Sequence, residues 1–272
     1  MAEKLLSGMK RKPYFARGDF VLYLGDSIFL LEGLPEASVD MVFADPPYKL
    51  SNDGFSVQSG RAVSVNKGDW DKSRGFAADY DFHQSWLRAC HRVLKPGGTI
   101  WVSGTYHSVY QCGHAMQAIG FHILNDIAWF KPNASPNLSC RCFTASHETI
   151  LWARKDKKSR HTFNYALMRD GEWPEDGIKK PGKQMRSVWS VPPPKAEEKL
   201  HGKHPTQKPL ALLERIVLAS TKKGDVVLDP FAGSSTTGIA SLRHGRRFVG
   251  LDAERRYLDL SVARAKSELD RS

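Results

Sequence analysis

Residues 39–54 read VDMVFADPPYKLSNDG. The apolar run Val39–Ala44 has the length of a buried strand, and it stops at a carboxylate, Asp45. Pro46 and Pro47 fix the backbone and offer no N–H, Tyr48 adds a ring, and a polar stretch follows. A strand that delivers an acid, a stiff turn and an aromatic ring to one point is building a site at its carboxyl end. In open parallel sheets, ligands bind just beyond those ends.

The flanking segments supply such a sheet. FVLYLGD (20–26), TIWVSG (99–104), FHILNDIAWF (121–130), ETILWAR (148–154), DVVLD (225–229) and RFVGLD (247–252) read as strands. Helical patterns alternate with them. In DFHQSWLRACHRVLKPGG (81–98) Phe82, Trp86, Leu87, Cys90, Val93 and Leu94 share a face, and Pro96-Gly97-Gly98 stops the helix. SVYQCGHAMQAIG (108–120), LALLERIVLAST (210–221), TTGIASLRHG (236–245) and RRYLDLSVARAKSEL (255–269) are the others. The alternation predicts an α/β fold, a mostly parallel twisted sheet with helices on both faces. Two segments break the pattern. Residues 49–79 lack periodicity, which predicts a mobile loop beside the Asp45 site. Residues 156–203 are basic, rich in Pro and Gly and interrupted by VPPPK, which reads as an insertion with its own task.

With 272 residues, 41% of them hydrophobic, the chain has core enough to fold without disulfides or metal. Cys90, Cys112, Cys140 and Cys142 give one C-x-C pair and no second close pair, so the expectation is reduced thiols and no metal. The sequence has neither a run long enough to span a bilayer nor the apolar core of a signal peptide, so a cytoplasmic protein with no membrane partner is expected. The net charge is +11, and residues 154–203 hold 13 Lys/Arg against 7 Asp/Glu, +6 of that excess. A polyanionic partner, nucleic acid, is the natural inference.

Asp26, Asp45, Asp229 and Asp252 each close a strand-like run. One acid there is a routine helix cap, whereas four on one edge point to a polar ligand. VVLDPFAGSSTTG (226–238) is a strand, a tight turn and a helix start, with Gly233 for close approach and Ser234–Thr237 for hydroxyls and caps. It lacks both G-x-G-x-x-G and G-K-[ST], so a dinucleotide or nucleoside triphosphate is poorly supported. Asp252, at the next strand end, is placed to accept from ribose hydroxyls. The ligand implied is a nucleoside with a non-phosphate tail. At Asp45-Pro46-Pro47-Tyr48 a nucleobase amine donating both hydrogens, to the Asp45 carboxylate and the Pro46 carbonyl, would have its lone pair freed for attack. Tyr48 offers a face for stacking, and a base inside a duplex must first be flipped out.

ADPPY, with DPFAGSSTTG downstream, resembles the amino-group DNA methyltransferases that use S-adenosylmethionine, in the motif order of the circularly permuted β class. The stretches CHRVLKPGG, SHETILWARK, HPTQKPLALLERIVLAS and RFVGLDAERRYLDL are similar too. The resemblance implies a Rossmann-like methyltransferase fold, with residues 1–155 and 204–272 catalytic and 156–203 a target-recognition insertion. Asp45, Pro46, Pro47 and Tyr48 would hold the target base. Asp229, Pro230, Phe231, Gly233, Ser235 and Thr236 would shape the methionine side, with Asp45 beside them. Asp252 would hold the ribose, and Asp26 and Ser27 would lie near the cofactor adenine. His204, Thr206 and Lys208 would approach the cofactor's amino-acid end, Lys208 suited to a carboxylate. His147 and Glu148 would brace the fold. Lys157, Lys158, Arg160, Lys179, Lys180 and Arg186 are the candidate DNA contacts, and Trp173 and Trp189 are expected in a small local core.

The activity implied is adenine-N6 methylation of double-stranded DNA, because cytosine-N4 enzymes more often carry Ser at the first motif position. Cytosine-N4 methylation is the alternative, and a DNA-binding specificity protein with a vestigial pocket is a rival of another class. A cytosine-C5 enzyme would need a nucleophilic thiol, usually in a Pro-Cys pair, and the chain has no such dipeptide. A restriction endonuclease and a second copy of the chain are the other partners implied.

Overall fold

The computed structural model describes residues 9, 11–48, 55–58, 61–64, 71–134, 136–137 and 140–271, with 55–58 and 61–64 as backbone only. In chain order the elements are β1 (Phe15–Arg17), β2 (Phe20–Leu24), α1 (Ser27–Glu32), β3 (Val39–Ala44), β4 (Phe55–Gln58), β5 (Arg61–Ser64), α2 (Phe76–Val93) and β6 (Leu94–Gly104). Then come α3 (Val109–Ile119), β7 (His122–Phe130), β8 (His147–Arg154), α4 (Tyr165–Asp170) and β9 (Val188–Ser190). A 3-10 turn (Ala196–Lys199), α5 (Leu210–Ser220), β10 (Val226–Asp229), α6 (Thr236–Arg243), β11 (Arg247–Asp252) and α7 (Arg255–Leu269) complete the chain.

Nine strands form one sheet in the order β1-β2-β11-β10-β3-β6-β8-β7-β9. From β2 to β6 every neighbour is parallel. β8 is antiparallel to both β6 and β7, and β9 is parallel to β7. The strands read as near-continuous apolar runs because both faces are covered. Val21, Val42, Val102, Val249 and Leu251 pack beneath α1, α2 and α3 with Leu30, Trp86, Leu87 and Met116. Their neighbours Phe20, Met41, Phe43, Trp101 and Phe248 pack beneath α5, α6 and α7 with Leu212, Ile216, Ile239 and Leu258. That is the alternation a pleated strand imposes.

Three expectations are corrected. The helix read through to Pro96 ends at Val93, where Leu94 turns extended with φ −66° and ψ 134° and begins β6. Pro96 disfavours the α region at Lys95, which brings the stop forward. Part of 49–79 is regular: β4 and β5 pair antiparallel, and α2 already starts at Phe76. The mobility expected of the rest of that loop falls outside the described residues. The 156–203 insertion is stitched into the main core. β9 extends the sheet, Met168 and Trp189 are buried in the α5-side cluster, and Asp176 pairs with buried Arg215 at 2.6 Å. Arg215 lies 4.9 Å from the ring centre of Trp173 and 5.0 Å from that of Trp189, so the tryptophans pack on the domain core. Among the described residues no helix is long and apolar enough to cross a membrane.

Candidate active site

β3 and β10 lie side by side, but the chain leaves β3 toward β6 and leaves β10 toward β11. Loops that part in opposite directions open a crevice at that switch point. Asp45 follows β3 directly, and Asp229 and Asp252 end β10 and β11. Asp26 caps α1 by accepting the Phe29 N–H at 2.9 Å. A cleft of about 420 Å³ runs along this edge, lined among others by Asp26, Ser27, Asp45, Phe82, Phe231 and Asp252. A hollow of about 30 Å³ adjoins it between Asp45, Asp229, His204, Gln207 and Lys208.

Asp45 is held at both oxygens. Its Oδ1 accepts from the Tyr48 hydroxyl at 2.6 Å and its Oδ2 from Lys208 Nζ at 2.5 Å. A carboxylate has about four lone-pair sites, so the remainder is open to a substrate amine. The Tyr48 hydroxyl also contacts Glu148 Oε2 at 2.9 Å and Ser103 Oγ at 3.0 Å. Glu148 lies 3.5 Å from Lys208 through Oε2 and pairs with Lys131 through Oε1. Burial by itself would lower the Lys208 ammonium, but Asp45 and Glu148 more than offset it and hold it above its usual range. Burial by itself would raise Glu148, but Lys208 and Lys131 outweigh it and hold the carboxyl at about 2. Burial, followed by Asp45 and Glu148, pushes the Tyr48 hydroxyl well up.

The other acids behave in the opposite way. Burial pushes Asp229 up to about 7, with Asp45 and Asp252 adding to the rise against bonds from Thr237 and the Phe231 N–H. Burial likewise carries Asp252 up to about 6, although the Glu254 and Gly233 N–H groups donate to it at 2.8 and 2.7 Å. Gly233 has φ +51°, and a Cβ there would meet the His204 imidazole at 3.0 Å. Ser235 heads α6 with φ +52° but does not cap it through its side chain, contrary to the sequence expectation. In that left-handed conformation its buried Oγ has no partner among the described residues. Gln207 lines the small hollow, and its Oε1 is also buried without a partner among the described residues.

A family model described as DNA methylase matches residues 39–263. The chain belongs to that family. It is 52% identical over 258 residues to the type II methyltransferase M2.DpnII of Streptococcus pneumoniae, covering 94% of this chain and 93% of that one. It is 53% identical over 254 residues to M2.LlaDCHI of Lactococcus lactis subsp. cremoris, covering 93% and 91%. Among solved structures the M1.HpyAVI–SAM complex superposes with a TM-score of 0.64 at 25% identity, over 90% of this chain and 98% of that one. The cytosine-N4-specific PvuII methyltransferase shares the fold, with a TM-score of 0.71 at 21% identity over 94% and 89%. The protein is thus a DNA methyltransferase, and its family depends on S-adenosylmethionine.

In this methylase, Asp26, Ser27, Asp45, Pro46, Pro47, Tyr48, His204, Thr206, Phe231, Gly233 and Asp252 all border the large cleft. Lys208, Asp229 and Thr236 border the small hollow together with Asp45, His204, Thr206, Phe231 and Gly233. Pro230 and Ser235, expected on the methionine side, line neither cavity; the Pro230 carbonyl accepts from Ser27 Oγ at 2.5 Å. Two further placements differ from expectation. Tyr48 is 5% exposed with Lys208 5.2 Å from its ring centre, so its face is covered. Lys208, assigned from sequence to the cofactor carboxylate, is engaged on Asp45 and Glu148. The sequence reading of Glu148 as a brace missed its place in the knot; a carboxylate next to an apolar strand run was the available signal. Asp71, Arg74 and Phe82, which also line the cleft, were read as loop or plain helix.

The basic candidates separate. Lys157, Lys158 and Arg160 follow β8, which runs from Thr149 paired with Gly104, the last residue of β6, back to Arg154 paired with Thr99. β8 runs opposite to its neighbours, so these three emerge at the edge of the sheet away from Asp45. Lys179, Lys180 and Arg186 line a separate cleft of about 290 Å³ with Lys183 and Gln184, beside the flanking strand β9.

Proposed function

We propose that this methyltransferase methylates the N6 amino group of adenine in DNA. The observation that carries the reading is the Asp45 carboxylate at the switch point, fixed at both oxygens and facing the same hollow as Asp229. S-adenosylmethionine supplies an electrophilic methyl group, and its amino-acid end would lie in the wider cleft at the mouth of the small hollow, which by itself has room for about one water. Asp229 and the unpartnered Gln207 Oε1 suit an ammonium, and His204 suits a carboxylate, Lys208 being taken up by Asp45 and Glu148. Asp252 and Glu254 at the wider cleft suit the ribose, and Asp26 and Phe231 suit the adenine. On the substrate side, Asp45 and the Pro46 carbonyl accept the amino hydrogens and direct the nitrogen lone pair at the methyl group. Positioning and electrostatics do the catalytic work. A base in a duplex reaches this cleft by flipping. Asp at position 45, where N4 enzymes more often carry Ser, favours adenine.

Sequencing DNA from a methylation-free host that expresses the chain, with nucleoside analysis, reads base and site together. N6-methyladenine at one short sequence supports the proposal, and N4-methylcytosine refutes it. Assays on the same sequence as duplex and as single strand decide the form of DNA used. The resemblance extends to a nuclease reading the same site, to a homodimer and to action in the cytoplasm. Protection of modified DNA from that nuclease and sedimentation equilibrium test the first two.

A further inference from the structure

The knot around Asp45 is electrically closed. Asp45 and Glu148 bring two formal negative charges, and Lys131 and Lys208 bring two positive ones. The side chains of Lys208, Glu148 and Asp45 are only 6%, 11% and 14% exposed. Lys208 and Tyr48 each donate to one oxygen of Asp45; Glu148 Oε2 lies 3.5 Å from Lys208 Nζ and, at 2.9 Å, takes a bifurcated share of the single Tyr48 proton. Lys131, on the far side, takes the second Glu148 oxygen. The strands fix this order. Thr149, next to Glu148, pairs with Gly104, and Trp129, two residues before Lys131, pairs with Glu148.

We propose that Glu148, backed by Lys131, is a positioning residue for methyl transfer: it anchors the two groups that set the orientation of the Asp45 carboxylate. A lysine is a point charge on a flexible four-carbon stem and has no preferred direction of its own. Shared between two acids, Lys208 is pinned, and Asp45 keeps lone pairs for the substrate amine. With the Glu148 charge removed, a buried excess positive charge remains. Lys208 then closes on Asp45 alone, and the acceptor turns from the amine. Displacements of that kind cost rate more than binding.

This inference rests on Asp45 as the amine acceptor, and the test separates the two. Glu148→Gln keeps the size and an acceptor for Tyr48 but removes the charge. Its kcat should fall by about tenfold to a hundredfold, with the cofactor Kd and the KM for DNA within about twofold of wild type. Adding Lys131→Met restores electrical closure, so the double variant should recover part of that loss, a rescue that a mere brace would not show. Should Glu148→Gln fail to fold, Lys131→Met alone carries the prediction of lower kcat at unchanged cofactor Kd. Wild-type kcat in Glu148→Gln, or in Lys131→Met when only that variant folds, overturns the inference, as does a loss undiminished in the double variant. Turnover surviving in Asp45→Ala overturns instead the reading beneath it.

Discussion

At the residue scale, the site sets acids of opposite behaviour side by side. Glu148 is held at about 2, while Asp229 and Asp252 are raised to about 7 and about 6. A carboxyl raised on folding gives stability that is complete below the unfolded value, near pH 4, and is lost as pH rises through the folded value. Between about pH 4 and pH 7 Asp229 and Asp252 therefore bind more protons in the folded, cofactor-free protein than in the unfolded chain, and their contribution to stability is lost as pH rises. Asp229→Asn keeps an acceptor for the Phe231 N–H and removes the titration. Its melting temperature should therefore fall less than that of wild type from about pH 5 to pH 8, as thermal scans across that range would show. The prediction fails if the two curves run parallel. Asp45→Ala should retain cofactor binding by calorimetry and lose turnover by about a hundredfold or more in a methyl-transfer assay.

At the element scale, two glycines of the β10–α6 unit sit in close packing. Gly238, in the first turns of α6, packs so tightly that a Cβ would meet the Phe20 and Phe248 rings at 2.5 and 2.6 Å. Gly238→Ala should cost roughly 1–3 kcal/mol of stability by denaturant titration while sparing the cleft chemistry. Gly233→Ala combines a left-handed φ of +51° with a clash against His204. The backbone alone costs roughly 1–2 kcal/mol, and cofactor affinity should weaken as well, measurable as a raised Kd. Such glycines were legible as a turn in the sequence, but the rings they touch lie on strands distant in the chain.

For the whole molecule, strand direction separates the basic candidates of the insertion into two groups. Lys179, Lys180 and Arg186 line a basic cleft beside β9, whereas Lys157, Lys158 and Arg160 sit at the end of the sheet away from Asp45. Replacing the first three by Ala should weaken DNA binding and flatten its salt dependence by about one unit of slope for each phosphate no longer neutralised. The same change to the second three should leave both unaltered, and equal effects in a salt titration would refute the division. The sequence by itself determined the alternating strands and helices, the acids at the strand ends and the Asp45 motif, because these follow from local periodicity and from residues adjacent in the chain. Only the tertiary structure decided that Lys208 and Glu148 close on Asp45 and that the basic insertion joins the core through β9 and Arg215. It alone also decided which basic residues emerge at the end of the sheet away from Asp45. Those facts depend on strand order and direction, and an antiparallel β8 reverses where its flanking charges emerge without altering any local pattern.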